Sequence, residues 1–131
     1  MRDRPWFEIL PANTLPTRMS ALDAAGFAVF ALPSGIRDRQ AFFDGVRTAL
    51  PLDPPVQSDW NLDALEDSLW VGLGSSEVDR LAIVWPDVAE MVLQDEREFN
   101  MLLDTVVAVA DILAHPMRGD ATKLILIVLG L

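Results

Sequence analysis

Two carboxylates placed one helical turn apart are the residues of this chain whose spacing most clearly indicates chemistry. Asp63 and Asp67 lie in residues 61–71, where leucines recur at the spacing of an amphipathic helix. Side chains four residues apart lie above one another on a helix, so these carboxylates share one face although like charges repel. Together they can accept charge-assisted hydrogen bonds from arginine and mimic phosphates. On a helix such an acidic face is most often solvated surface, and the alternative is a surface that fits a cationic cleft.

The remaining candidates for catalysis or ligand binding are weak. Residues 72–76, with the sequence GLGSS, resemble a phosphate-binding loop in composition, but they lack its lysine and follow a helix. His115 is the only histidine and lies at a predicted helix end, where a cation complements the helix dipole. The acidic positions lack the spacing of a calcium-binding loop. We therefore predict no catalytic residue, no metal site and no cofactor, and a protein that is not an enzyme.

The composition indicates one folded domain with an acidic surface. The 131 residues carry 10 Lys and Arg against 20 Asp and Glu, a formal net charge of −10, and 51% of them are apolar. This length accommodates a single core. Because nucleic-acid binding needs clustered cations and the chain has no run rich in Lys or Arg, we expect no nucleic-acid partner. The charge fits a cationic protein partner, and it fits solubility alone equally well.

Three further features bear on the compartment. The chain contains no cysteine, which excludes disulfides and thiolate chemistry. Its first residues lack the uninterrupted apolar stretch of a secretory signal. The longest apolar run, residues 124–129, has the length of a buried strand rather than of a membrane span. We expect a cytoplasmic, monomeric protein that does not contact membranes.

Apolar runs separated by amphipathic segments predict an α/β domain. Three continuously apolar runs have the pattern of buried strands, and the first of them is predicted to be buried on both faces. Asp38 and Asn61 are candidate N-caps, and Asp95 with Glu98 forms a start that resembles a capping box. Helices between strands predict a parallel sheet with right-handed crossovers. The predicted strands are residues 27–32, 81–85 and 124–129, and the predicted helices are residues 17–25, 38–50, 61–71 and 95–115, with a helical turn at 87–93 and a loop at Pro116 and Gly119.

The segment over residues 60–70, WNLDALEDSLW, resembles the signature of the barstar family, N-[LW]-D-A-L-x-D-x-L in the second helix. The surrounding elements are similar too, because a strand and an amphipathic helix precede the segment, while an apolar strand ending in Trp85, a long helix and a last strand follow it. The resemblance implies a barstar-like domain with three parallel strands over residues 26–131, and leaves residues 1–25 as an N-terminal extension. The matching positions are Asn61, Leu62, Asp63, Ala64, Leu65, Asp67 and Leu69.

The resemblance also implies a function and a role for each matching residue. Barstars are intracellular inhibitors that block a secreted ribonuclease of the barnase type. In such an inhibitor Asp67 would reach the phosphate-binding centre of the nuclease, while Asp63 would pair with neighbouring cations. Asn61 and Leu62 would shape the edge of the contact, and complementary charge would speed the encounter.

Several residues depart from the family pattern or add to it. The loop over residues 56–60 lacks the Tyr and Gly that are typical of barstars. Trp60 is a candidate for the aromatic contact, or alternatively a hydrophobic staple that precedes the N-cap. Glu66 replaces a residue that is commonly aromatic. Asp59 would join the acidic face if the helix began early, and Asp111 falls near an acidic contact of the family.

These departures leave a second function open, an adaptor or immunity protein that keeps the barstar fold and binds a different protein partner. Two other tryptophans, Trp70 and Trp85, are predicted to lie in the core, because large aromatic side chains are mostly buried. The sequence therefore predicts an inhibitor whose contact surface is the second helix of the barstar-like domain.

Overall fold

The computed structural model describes residues 7–115 and 122–131, so the predicted loop at Pro116 and Gly119 lies outside it. The described residues form an α/β structure with four parallel strands and four α-helices, which confirms the predicted class. None of the described helices is both long enough and apolar enough to span a bilayer. The elements in chain order are β1 (Phe7–Leu10), one turn of 3₁₀ helix (Ala12–Thr14), α1 (Leu15–Ala24), β2 (Ala28–Ala31), α2 (Arg39–Ala49), α3 (Leu62–Gly74), β3 (Arg80–Trp85), α4 (Ala89–Ala114) and β4 (Leu124–Gly130).

The sheet has the strand order β1-β4-β3-β2, and every neighbouring pair is parallel. The two central strands, β3 and β4, are the long apolar runs of the sequence, and nearly all their side chains are buried. β2 lies at one edge, with three half-buried residues and one exposed residue. Ala28 and Phe30 pack on one face of the sheet and Val29 packs on the other, so this apolar run is covered on both faces as predicted. Its burial is incomplete because an edge strand has a neighbouring strand on one side only.

The fourth strand corrects the predicted number of three. β1 pairs with β4, with Phe7 opposite Ile127. The side chain of Arg18 links α1 to β1 through two hydrogen bonds to the carboxylate of Glu8, of 2.9 and 2.7 Å. This ion pair raises the pKa of Arg18. The sequence signal is weak because Glu8 interrupts the apolar pattern and the strand is only four residues long. β1 and α1 come from the predicted N-terminal extension, and the division at residue 25 stays a prediction.

Two apolar clusters cover the two faces of the sheet. The larger one, the main core, joins α2, α3 and α4 to alternate residues of β3 and β4. The smaller one, the second core, joins α1 to the intervening residues of β3 and β4, which point to the opposite face. It consists of Leu15, Leu22, Ala82, Val84, Leu126 and Val128. Since successive strand residues point to opposite faces, α1 lies on the opposite face from the other helices. The right-handed crossover rule explains this, because the β1-to-β2 connection crosses the sheet in the opposite direction to the later ones.

The helix starts follow the predicted caps. The Asp38 carboxylate accepts a hydrogen bond from the backbone N–H of Ala41 at 2.8 Å, at the start of α2. The predicted start at Asp95 is also confirmed, because its carboxylate accepts from the N–H of Glu98 at 3.1 Å. Asp95 has non-helical backbone angles, φ −156° and ψ 81°, so α4 is two helical pieces joined at a kink. The short turn and the long helix of the sequence prediction correspond to these two pieces.

Candidate functional site

The third helix divides sharply into a buried face and an exposed face. Leu65, Leu69 and Leu73 are completely or almost completely buried in the main core. Asp63 and Asp67 are exposed on the opposite side, about 6 Å apart along the helix axis at the usual rise per residue. The structure therefore places the two carboxylates of the motif together on one solvent-facing stripe, as their spacing predicts.

Glu66 lies beside these two residues, and the three together are named the acidic ridge. Glu66 is half-buried, whereas Asp63 and Asp67 are exposed. None of the three forms a salt bridge with another described residue. The ridge thus presents adjacent negative charges that no described cation of the chain neutralises.

Arg39 binds next to the start of α3 but outside the acidic ridge. Arg39, on α2, forms an ion pair with Glu98 on α4 and donates a hydrogen bond to the backbone carbonyl of Trp60 at 3.0 Å. Its guanidinium therefore joins three elements at the base of α3 without reaching the acidic ridge. The hydrogen bond from Arg39 holds the backbone of Trp60, the residue immediately before the N-cap of α3.

Arg47 is the residue that holds the loop between α2 and α3, residues 50–61. Its guanidinium donates to the carbonyls of Val56 and Ser58, both at 2.8 Å, and to the carboxylate of Asp59 at 2.5 Å. It also pairs with Asp44 one turn earlier on α2, at 2.8 Å. These contacts fix the loop that leads into the acidic ridge. The role of Arg47 was not predicted from the sequence, because an arginine in the last turn of a helix is usually an exposed charge that complements the helix dipole.

The carboxylate of Asp59 is thus occupied inside the chain. It lies in the loop that precedes α3, where Arg47 binds it. Because α3 begins only at Leu62, Asp59 is not part of the helix. The structure does not place Asp59 on the acidic ridge, and a contact between its remaining exposed surface and a partner stays a prediction.

The residues at the start of α3 have distinct environments. Asn61 is the N-cap, and its side-chain oxygen accepts from the N–H of Ala64 at 3.0 Å, as predicted. Trp60 is 72% exposed, so it does not pack as a hydrophobic staple and its indole is available to a partner. The Ser58 hydroxyl accepts from the N–H groups of Trp60 and Asn61, at 3.0 and 3.1 Å. Leu62 is half-buried against the main core.

The inner face of α3 is fastened to the first part of the loop. Ser68 is buried, and its hydroxyl donates to the carbonyl of Pro54 while its own carbonyl accepts from the N–H of Asp53 at 3.2 Å. Gly72 lies so close to the loop that a Cβ there would be 2.0 Å from the carbonyl oxygen of Pro51. The helix can approach the loop this closely only because residue 72 lacks a side chain.

Two predictions about the tryptophans have opposite outcomes. Trp85 is 2% exposed and packs between Phe42 and Phe99 with tilted rings, whose centroids are each 5.0 Å away, which confirms its place in the core. Trp70 is 46% exposed on α3, so the prediction that it belongs to the core was wrong. It follows Asp67 by three residues and therefore lies on the same side of the helix.

Asp111 is half-buried on α4, the helix against which α3 packs. Its backbone carbonyl accepts from the N–H of His115 at 3.1 Å. Leu113, two residues later, would lie 3.4 Å from a Cβ at Gly74, so this part of α4 is level with the end of α3 and beyond the acidic ridge. Its predicted contact with a partner stays a prediction.

A family model described as Barstar (barnase inhibitor) matches residues 27–127. The chain belongs to the barstar family. The match spans β2, β3, most of β4 and helices α2 to α4, and it includes the acidic ridge, whereas β1 and α1 precede it. No curated protein and no solved structure gives a significant match.

Membership of the barstar family agrees with the chemistry that the site can perform. Members of this family are ribonuclease inhibitors rather than enzymes. Within residues 7–115 and 122–131, no group of three or more acidic or histidine side chains could hold a metal ion. What the barstar-family helix offers is a set of anionic acceptors in fixed positions, suited to binding guanidinium and ammonium groups.

Proposed function

We propose that this protein is a cytoplasmic, stoichiometric inhibitor of a secreted barnase-type ribonuclease, and that α3 blocks the active site of its target. The observation that carries the proposal is the position of Asp63 and Asp67, exposed, one turn apart and without a salt bridge to any described residue. The family description supports the class of target. Inhibition would protect the producing cell until the nuclease is exported.

The physical basis is the replacement of substrate phosphates by carboxylates. A ribonuclease cleft must hold phosphates with Arg, Lys or His, so it is cationic and attracts anions of similar geometry. Asp67 supplies the acceptor for the phosphate-binding centre, and Asp63 pairs with the cations beside it. Asn61 and Leu62 border the contact. Because both carboxylates are on a helix fixed by Ser68 and the main core, little conformational entropy is lost on binding.

The net charge of −10 acts at longer range. A cationic nuclease is drawn toward an acidic inhibitor, and the acidic ridge favours one approach direction, which increases the association rate. Glu66 adds a third negative charge to this surface at a position where aromatic residues are common in the family. The preferred target is therefore a barnase relative with an additional cation at the edge of its cleft.

The experiment is a titration of the purified protein into barnase-type ribonucleases while RNA cleavage is followed. Asp67→Ala is expected to weaken inhibition by about 30-fold or more, a general magnitude for a central charged contact, for which barnase with barstar is among the known examples. Asp23→Ala is the matched control, because it removes the same charge from α1 on the opposite face of the sheet.

If Asp67→Ala inhibits as strongly as Asp23→Ala and the intact protein, the Asp67 carboxylate is not the central contact and the proposed mode of inhibition fails. Complete absence of inhibition by the intact protein, across a panel of barnase-type enzymes, would instead favour the second candidate, an adaptor or immunity protein that binds another protein. Glu66 and the altered loop over residues 56–60 are the features that support this candidate.

A further inference from the structure

The exposed stripe of α3 continues past the acidic ridge with apolar side chains. Trp70 is 46% exposed and the adjacent Val71 is exposed as well, whereas Leu69 and Gly72 on the inner face are buried. An exposed tryptophan next to another exposed apolar residue on a helix is an unusual use of surface, since both side chains gain free energy by leaving water. The charged and apolar parts of the stripe are continuous, because residues 63, 67 and 70 follow one another at helical spacing.

We propose that Trp70 determines the specificity of the inhibitor. Its indole packs against an apolar or aromatic surface that borders the cationic cleft of the target nuclease. This inference rests on the proposed function, because the acidic ridge beside Trp70 selects a cationic partner. The rise from Asp67 to Trp70 is about 4.5 Å. An indole at this distance reaches the wall of the same cleft whose cations bind Asp67, rather than a separate site.

The combination of an aromatic anchor with charges has a physical advantage. Tryptophan is among the residues that most often dominate the energy of an interface, since it buries a large rigid surface and loses few rotamers. Its burial beside Asp67 excludes water from the ion pairs and strengthens them. A nuclease that has the phosphate-binding cations but a polar or highly charged border would leave the indole exposed. Trp70 therefore discriminates among related nucleases, while the acidic ridge recognises the features they share.

Trp60 provides an aromatic side chain at the other end of the ridge. It is 72% exposed and precedes Asp63 by three residues, so a tryptophan lies on either side of the two carboxylates. The two tryptophans differ in how firmly the backbone around them is held. Trp60 lies in a loop, where its carbonyl accepts a hydrogen bond from Arg39, whereas Trp70 lies within a helix. The helix limits the directions that Trp70 can take, which suits it to a shape-dependent contact.

The test measures inhibition of several barnase-type ribonucleases by the intact protein and by Trp70→Ala, Trp70→Phe and Leu93→Ala. Leu93 is the matched control, because it is an apolar helix residue that is 86% exposed, on α4. For the best-inhibited enzyme we expect Trp70→Ala to weaken binding by about 30-fold, mainly through faster dissociation. We expect Trp70→Phe to retain most of the affinity and Leu93→Ala to change it less than twofold. The ratio of affinities between the best and the poorest target should fall for Trp70→Ala.

The results separate the inference from the proposed function on which it rests. If Asp67→Ala weakens inhibition while Trp70→Ala binds every enzyme as the intact protein does, Trp70 is not an anchor and the inhibitor function stands. If the intact protein inhibits no enzyme, the proposed function fails and the inference with it. Thermal unfolding of each variant accompanies the assay, and Trp70→Phe retains the aromatic surface should Trp70→Ala unfold. Equal losses for Trp70→Ala and Trp70→Phe, with unchanged stability, would also contradict a packing role.

Discussion

Arg47 Nη2 lies 2.5 Å from the carboxylate of Asp59, and this ion pair joins the last turn of α2 to the loop that leads into the acidic ridge. The same guanidinium donates to three backbone carbonyls of the loop and lies 5.7 Å from the centroid of the Phe43 ring. An arginine is suited to this role because its planar group donates in several directions at once. Arg47 lies outside the acidic ridge and fixes the loop that precedes it.

The first prediction concerns this support. Arg47→Met should lower the free energy of unfolding by about 1–2 kcal/mol, because charge-assisted hydrogen bonds to the loop are lost while the carbonyls regain water. It should also weaken nuclease inhibition and accelerate amide hydrogen exchange over residues 56–61. Arg37→Met is the control, since Arg37 is well exposed and, among the described residues, pairs only with Glu90, at 3.8 Å. Unchanged exchange in the loop would show that Arg47 does not position it.

A second prediction follows from the absence of salt bridges between the acidic ridge and the described cations. Asp67→Asn should leave stability unchanged or raise it by about 0.5 kcal/mol, because it relieves like-charge repulsion within the helix. Asp63→Asn should change stability little, because the relieved repulsion is offset by the loss of a carboxylate from the first turn, where the helix dipole favours negative charge. Inhibition by the intact protein should weaken steeply as salt rises from about 0.05 to 0.5 M. The dependence of log Kd on log salt should be shallower for both variants. A variant with lower thermal stability would indicate that its carboxylate has a structural role.

The third prediction uses two glycines of α3 that differ in their surroundings. Gly72→Ala should destabilise the protein by about 1–3 kcal/mol despite the better helix propensity of alanine, since the new Cβ would overlap the backbone of Pro51. Gly74→Ala is the matched control on the same helix, where the nearest atom is Leu113 Cδ2 at 3.4 Å. We expect it to be neutral or to stabilise by up to about 1 kcal/mol. Chemical denaturation of both variants gives the comparison, and equal effects would contradict the close approach of helix and loop.

The parts of the site that are local in sequence were predictable. The caps at Asp38, Asn61 and Asp95 and the alignment of Asp63 with Asp67 depend on residues three or four positions apart, where helix geometry dictates the contact. The central strands were predictable for a similar reason, because an uninterrupted apolar run suits a strand that has neighbours on both sides.

The contacts between residues that are distant in the sequence could not be predicted. Nothing near Arg47 in sequence indicates that it binds a loop about ten residues away, and Arg39 reaches Glu98 across 59 positions. Trp70 and Trp85 belong to the same residue type, but one faces solvent and the other lies between Phe42 and Phe99. Hydrophobicity alone does not distinguish them, because burial is decided by what the rest of the chain places against each side chain.

The last prediction concerns β1 and α1, which precede the family match. β1 pairs with β4 at the edge of the sheet, and α1 covers one face, where Leu22 is almost fully buried against Ala82, Val84, Leu126 and Val128. Removal of residues 1–25 should therefore expose the second core, lower the unfolding temperature and increase binding of a hydrophobic dye, because an apolar sheet face of this kind is not stable in water. Dye fluorescence and thermal unfolding of the shortened and the intact protein provide the measurement.

Point substitutions separate packing from a general effect of truncation. Leu22→Ala should cost about 2–5 kcal/mol, as a cavity in a packed cluster does, whereas Ser20→Ala on the exposed side of the same helix should change little. Neither substitution should alter nuclease inhibition at temperatures where the protein is folded, since α1 and α3 lie on opposite faces of the sheet. A shortened protein that unfolds at the same temperature as the intact chain would mean that α1 contributes no net stability. Loss of inhibition in folded Leu22→Ala would mean that the two faces are coupled through the sheet.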